Sequence, residues 1–269
     1  MKKLKRKTAI ITGGGGALGG AIAEAFAIEG ANIILIGRSQ ESLNEKLTAI
    51  QSLTGVEAFA IACDVLDEKA LLTAKGQIMS DFGSIDILVN AAGGNQKGAT
   101  ISPNQTFFDL NIPDFEKVVD LNLMGTVLPC QVFGEVMANQ KTGVILNVSS
   151  MAADRVLTRV MGYSASKAAM ENFTKSLAIE MALKFGDAIR VNALAPGFFL
   201  AEQNMSLLYD EAGNLSERGS RIIENTPMNR FGKHEEIKGA AVFLCSDDAK
   251  FITGISLPID GGFSAFSGV

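Results

Sequence analysis

The sequence predicts an α/β fold: a single doubly wound parallel sheet flanked by helices on both faces. Three observations predict it. Short apolar, β-branched runs alternate with longer helical patterns through the whole chain. Those runs are almost continuously apolar, as strands covered on both faces are. Glycines crowd the junction between the first run and the first helical pattern. The expected strands are 8–12 (TAIIT), 32–36 (NIILI), 57–62 (EAFAIA), 85–90 (IDILVN), 143–149 (GVILNVS) and 188–195 (AIRVNALA). A last run, 254–260 (GISLPID), suits an edge strand, where Pro258 is tolerated. Helical patterns occupy 17–29, 40–53, 67–82, 113–138 and 163–185. With no proline-rich linker, low-complexity tract or internal repeat, residues 1–269 read as one domain. Segment 196–233 follows a strand and is too long for a plain connector, so it reads as a lid or specificity segment.

Composition excludes several function classes. A net charge of −5 offers no basic face for nucleic acid. No uncharged run reaches the ~20 apolar residues of a membrane span, and the basic start MKKLKRK leads into glycines rather than a signal-peptide core. Cys63, Cys130 and Cys245 sit far apart in apolar segments, without metal-ligand spacing, and read as buried thiols of a cytoplasmic protein. The single histidine, His234, argues against a His-rich metal site and against a Ser-His-Asp triad; it reads as part of a solvated helix start. No metal is expected.

The glycine-rich junction TGGGGALGG places Gly14, Gly16 and Gly19 in G-x-G-x-x-G spacing between strand and helix. Such a loop lets backbone approach a pyrophosphate at the positive end of the helix. The second strand ends in Gly37 and Arg38, with no carboxylate before Glu41. A guanidinium there can pair with a 2′-phosphate, which favours NADP(H); stacking of Arg38 on adenine would leave NAD(H) possible. Asp64 is placed to meet the adenine amino group, and NAAG (90–93) offers a small-residue floor beside the adenosine. Tyr163 and Lys167 lie four apart on one helix and point the same way. A phenol titrates near ~10, and a neighbouring ammonium and an oxidised nicotinamide would both lower that value. Ser150 could hydrogen-bond the reacting carbonyl. Asn122 lies where an amide could interrupt regular helical bonding and hold a water near Lys167.

Together TGGGGALG, CDV, NAAG, the LN at 121–122, Ser150, YSASK and the PG at 196–197 resemble a short-chain dehydrogenase/reductase over nearly the whole length. The resemblance implies a Rossmann-type fold, Tyr163 as general acid/base, and Lys167 lowering its pKa and binding nicotinamide ribose. It implies Ser150 polarising the substrate and Asn122 supporting a proton relay; Ser149 is the rival serine, but the spacing to Tyr163 fits Ser150. The implied cofactor cradle comprises Gly13, Gly15, Gly16, Ala17, Leu18, Gly19, Arg38, Asp64, Val65, Asn90, Ala91, Gly93, Tyr163, Lys167, Pro196, Gly197 and Phe198. Two positions depart from the family: Ala17 replaces a usual glycine, and Ala201 a frequent threonine that Glu202, Gln203 or Asn204 would compensate.

Within the family, AGGNQKG, LTRVMGYSASKAA, APGFFLAEQN, TPMNRFG and DGGFSAFSGV resemble the branch described as D-mannonate oxidoreductases or fructuronate reductases. That implies reversible reduction of a keto group on a hexuronate. A sugar acid needs a cation for its carboxylate and amides or hydroxyls for its chain; Asn95, Lys97, Arg155, Arg159, Gln203 and Asn204 are the candidates. The alternatives are a 3-oxoacyl thioester reductase or other small-ketone reductase, and a catalytically silent nucleotide-sensing protein. The resemblance also implies a homotetramer, with the 113–138 and 163–185 helices pairing between subunits.

Overall fold

The computed structural model describes residues 2–201, 205 and 207–268. Seven parallel strands form one sheet: β1 (Thr8–Thr12), β2 (Asn32–Gly37), β3 (Ala58–Ala62), β4 (Ile87–Asn90), β5 (Gly143–Val148), β6 (Ile189–Pro196) and β7 (Ser256–Ile259), in spatial order β3-β2-β1-β4-β5-β6-β7. The order reverses between β1 and β4, which leaves a crevice beyond their carboxyl ends. β7 is the expected edge strand, its Pro258 in register with Ala195.

Alternation along the strands divides the core. Ala9, Ile11, Ile33, Leu35, Val89, Leu146 and Leu194 point to one face, where they meet helices α1 (Ala17–Ile28) and α2 (Gln40–Thr54). Ile10, Ile34, Ile36, Leu88, Ile145 and Val191 point to the other, toward α3 (Glu68–Phe82) and the helices that follow β4 and β5. Both faces bury apolar side chains, the reason the strands read as unbroken apolar runs. α2 and α3 begin where short polar side chains take up free N–H groups: Ser39 accepts from Ser42, and Asp67 from Ala70. α2 and α3 end at Gly55 and Gly83 in the left-handed conformation.

The expected helix 113–138 is two helices, α4 (Ile112–Val119) and α5 (Gly125–Gln140), joined by a π-type turn over Asp120–Met124. The Asn122 amide donates to the Val118 carbonyl at 2.8 Å, the acceptor a regular i→i−4 backbone bond would use, and to Gly94 O at 2.7 Å. The side chain thus widens the turn and ties it to the loop after β4. α6 (Met161–Phe185) matches its expected span. Beyond β6, α7 (Glu217–Glu224) and the segment around it pack on a small cluster of Leu208, Ile222 and Phe231. α8 (Lys238–Cys245) returns the chain to the α1 face. Cys63, Cys130 and Cys245 are free and buried, and burial pushes the thiols of Cys130 and Cys245 up to about 12. Among the described residues no helix is long and apolar enough to cross a membrane.

Candidate active site

The crevice at the carboxyl end of the sheet is a cavity of about 1180 Å³. Drug-sized ligand pockets run to roughly 300–1,000 Å³, so there is room for a dinucleotide and a small second molecule. The chain leaves β1 through Gly13 at φ 64°, and a methyl group there would lie 2.6 Å from Ala91 O. One on Gly19 would run into the Gly13 carbonyl, so the loop and the first turn of α1 touch through backbone. The α1 N-terminus has no side-chain cap, and Gly16, Ala17 and Leu18 at its start line the cavity. These close approaches fit a phosphate-bearing dinucleotide.

Gly13, Gly15, Gly16, Ala17, Leu18, Gly19, Arg38, Asp64, Val65, Ala91, Gly93, Pro196, Gly197 and Phe198 all line the cavity. Asp64 is half-buried and accepts a hydrogen bond from Leu66 N at 3.0 Å. Gly14, although it completes the G-x-G-x-x-G spacing, turns away and packs on Leu35. Asn90 is a correction to the expected cradle. It is fully buried beneath the cavity floor, donating to Asn147 at 2.9 Å and Cys130 Sγ at 3.2 Å, because its strand alternation sends it into the α5 face.

The reactive end is built by β5 and α6. β5 delivers Ser150, which lines the cavity and whose hydroxyl bonds the Tyr163 hydroxyl. Ser149 donates instead to Glu171 at 2.8 Å, so of the two serines it is Ser150 that meets the phenol. Tyr163, Lys167 and Glu171 follow one another at four-residue intervals along α6. Lys167 Nζ lies 5.7 Å from the Tyr163 ring centre, donates to Val148 O at 2.8 Å and is only 3% exposed. Burial lowers its pKa to about 7, with Glu171 opposing. Burial raises the Tyr163 pKa, opposed by the Ser150 hydrogen bond. The expected lowering of the phenol by Lys167 is therefore not a property of the protein alone: a lysine this desolvated carries only part of a charge near neutral pH. Phenolate formation and lysine protonation support each other, so the pair gains from being ionised together.

Asn122 does not line the cavity. Its Oδ1 accepts from Gly94 N at 3.1 Å, and a methyl group on Gly93 would lie 2.8 Å from that oxygen and 3.3 Å from Lys167 Nζ. Asn122 and Lys167 thus both lie against Gly93.

Of the substrate candidates, Asn95, Lys97 and Arg159 line the cavity. Arg159 donates through Nε to Ile101 O at 2.5 Å. Arg155 is a correction: it is exposed, bonds Ser264 O and lies 3.7 Å from Asp154, tying the C-terminal loop rather than facing the cavity. Gln203 and Asn204, and Glu202 beside them, lie outside the described residues. Ala201 lines the cavity without a donor side chain of its own. His234 opens a short helix, His234–Ile237, as expected, but it is half-buried on the cavity wall rather than solvated, with Nε2 buried and without a partner among the described residues. Sequence reasoning also missed Gln96, Thr100, Ser102 and Leu207, which line the cavity from loops with no recognisable spacing. Among the described residues no cluster of His, Cys, Asp and Glu suited to a metal occurs.

Comparison with known proteins agrees with this geometry. A family model described as enoyl-(acyl carrier protein) reductase, adh_short_C2, matches residues 15–264. A Haemophilus influenzae protein provisionally named a D-mannonate oxidoreductase, crystallised with bound NAD, is 41% identical and superposes with a TM-score of 0.93, covering 99% of this chain and 98% of its own. UxuB of Bacillus subtilis, an uncharacterised oxidoreductase, is 40% identical over 100% of this chain and 98% of its own. The 7α-hydroxysteroid dehydrogenase of Escherichia coli K12 is 34% identical over 97% and 95%. A glycine-lined crevice that ends at Ser150, Tyr163 and Lys167, shared over full length with such relatives, makes this chain a member of the short-chain dehydrogenase/reductase family and an NAD(P)-dependent oxidoreductase.

Proposed function

We propose that the protein interconverts a keto group and a secondary hydroxyl on a sugar acid, with D-fructuronate and D-mannonate as the pair. The observation that carries this reading is the charge of the cavity. Among the described lining residues Arg38, Lys97, Arg159 and Lys167 stand against a single carboxylate, Asp64, which lies at the β3 end away from Tyr163. Such a surface attracts an anionic substrate. The name carried by the Haemophilus relative points the same way. NADP(H) is the preferred cofactor in this proposal, because Arg38 lines the cavity where no carboxylate would repel a 2′-phosphate.

When bound, the nicotinamide supplies or accepts hydride. For reduction, Tyr163 gives its proton to the carbonyl oxygen and takes it back when the alcohol is oxidised. Ser150 donates a hydrogen bond to the same oxygen. Lys167 becomes fully protonated as the phenolate forms, which stabilises that charge in a dry site. Asn122 holds the Gly93–Gly94 turn against Lys167 and keeps the ammonium aimed. Residues 196–233 serve as the lid.

Phe198, Phe199 and Leu207 on the lining support a second reading, reduction of a 3-oxoacyl thioester. The proposal also includes a homotetramer built through the 113–138 segment (α4 and α5) and α6, supported by the exposed Ile179 and Leu183 on α6, and a cytoplasmic setting, supported by three free thiols. The test is a kinetic screen of keto-uronates, 3-oxoacyl thioesters and neutral ketones with NADPH and NADH. Preferential turnover of D-fructuronate is the expected result. Reduction of thioesters with no activity on any keto-uronate would overturn the sugar-acid reading.

A further inference from the structure

We propose that Arg159 is the residue that selects a carboxylate-bearing ketone: its two terminal amino groups grip the carboxylate while Tyr163, four residues on, meets the carbonyl of the same molecule. The inference rests on the sugar-acid reading and names the side chain that would give it specificity.

Arg159 is half-buried and lines the cavity with Asn95, Gln96, Thr100 and Ser102. Its backbone is held at φ 76°, a left-handed conformation that a side chain disfavours. A reciprocal pair keeps it there: Ile101 N donates to Arg159 O at 3.0 Å, and Arg159 Nε donates back to Ile101 O at 2.5 Å. That clasp uses the Nε–H of the guanidinium alone. The N–H groups on its two terminal nitrogens have no partner among the described residues.

The other polar groups on this wall are already engaged. Asn95 Nδ2 donates to Thr100 Oγ1 at 2.7 Å, Thr100 Oγ1 to Gln96 O at 3.0 Å, and Ser102 Oγ to Gln105 Oε1 at 2.5 Å. Of the other cations, Lys97 is exposed, Lys167 is bonded to Val148 O, and Arg38 follows β2, away from Tyr163. The carboxylates of the flanking segments are taken as well, Asp154 facing Arg155 at 3.7 Å and Asp114 facing Lys117 at 2.9 Å. A half-buried guanidinium left in this way is incomplete until an anion arrives, and its planar fork suits bidentate grasp of a carboxylate.

The wall is braced from behind. Gly98 lies so close to the Asp114 carboxylate that a methyl group would overlap it, and a methyl group on Gly162 would lie 2.9 Å from the Phe115 ring. α4 therefore packs against both the 95–102 loop and the start of α6, one residue before Tyr163. Anchor and proton donor share one support, which sets the separation between the bound carboxylate and the reacting carbonyl.

The test compares wild-type, Arg159→Gln and Arg159→Lys on D-fructuronate and on D-fructose, which carries a hydroxymethyl group in place of the carboxylate. Gln keeps an N–H for Ile101 O without the charge; Lys keeps the charge without the fork. A charge-assisted contact of this kind corresponds to roughly 10–100-fold in binding. Arg159→Gln should cut the kcat/KM preference for D-fructuronate over D-fructose by about that factor, chiefly through KM, with Arg159→Lys intermediate. Equal losses on both ketones, or an unchanged preference, would overturn the assignment; where Arg159→Gln does not fold, the same comparison is read from Arg159→Lys. Where either ketone is not turned over, calorimetric titration of the protein loaded with reduced dinucleotide decides, using D-gluconate and D-glucitol. D-gluconate binding that the variants weaken, with D-glucitol binding unaltered or absent throughout, supports the anchor even if D-fructuronate proves not to be the substrate. No D-gluconate binding by the wild type, or binding that the variants leave intact, would overturn it.

Discussion

Replacing Lys167 by Met should change how the stability of the protein depends on pH. In the unfolded chain this lysine holds its proton up to its ordinary value of 10.5, whereas in the fold burial makes it release the proton near 7. Between those values folding expels a proton, so the lysine's contribution to stability rises with pH; below 7 both states are protonated and the burden is complete. At about 1.36 kcal/mol per pH unit the full burden is roughly 5 kcal/mol. About half of it, ~2.7 kcal/mol, is relieved between pH 6 and pH 9. Met keeps the packed stem and has nothing to titrate. The lost hydrogen bond to Val148 O lowers stability equally at every pH, so it cancels from the comparison. The assay is urea unfolding of both proteins, free of dinucleotide and at one concentration, from pH 6 to pH 9. Wild-type stability should climb relative to Lys167→Met by about 2–3 kcal/mol, or about 5–10 °C in Tm. Profiles that run parallel within ~0.5 kcal/mol would show that Lys167 is not a desolvated cation, and the coupling argued for Tyr163 would fall with it.

Three other perturbations test separate parts of the site. Arg38→Ala should weaken NADPH binding by roughly 10–100-fold while changing NADH by less than about threefold; equal losses by fluorescence titration would make Arg38 an adenine-stacking residue and remove the case for NADP(H). Glu171→Gln removes a charge that supports Lys167 protonation, so the limb of the kcat/KM pH profile governed by Lys167 should move to lower pH; an unmoved limb would disconnect Glu171 from the site. Gly13→Ala forces a methyl group into a left-handed residue 2.6 Å from Ala91 O, so it should destabilise the protein by about 1–3 kcal/mol and weaken dinucleotide binding. Wild-type melting and affinity would show that the loop has more room than its geometry implies.

Much of this architecture is legible in the sequence because local signals coincide with global ones. The sheet strands bury both faces, so β1, β2 and β6 stand out as apolar runs, and helix ends carry Ser39, Asp67, Gly55 and Gly83 as punctuation. Tyr163, Lys167 and Ser150 are equally readable, since one helix and one strand end fix them. What escapes depends on contacts between distant segments. The interruption at Asn122 is legible from its amide within a helical pattern, but the bond that ties it to Gly94, 28 residues away, is recorded by no local pattern. Asn90 ends a strand that enters the site, yet pleat direction sends it into the core rather than the cavity. Arg155 and Arg159 look alike in sequence, and only the path of their loop separates the one bound to Ser264 O from the one on the cavity wall. His234 lies in a segment without motif spacing, and the return of the chain over the crevice is what brings it there.

The account depends most on Tyr163 exchanging a proton with the bound carbonyl while Lys167 holds the resulting charge. The direct measurement is single-turnover reduction by Tyr163→Phe, with dinucleotide affinity determined on the same preparation. Turnover should fall by at least ~10²–10⁴-fold, and affinity should change by no more than a few-fold. A variant that reduces the substrate at close to the wild-type rate while binding the dinucleotide normally would contradict the mechanism.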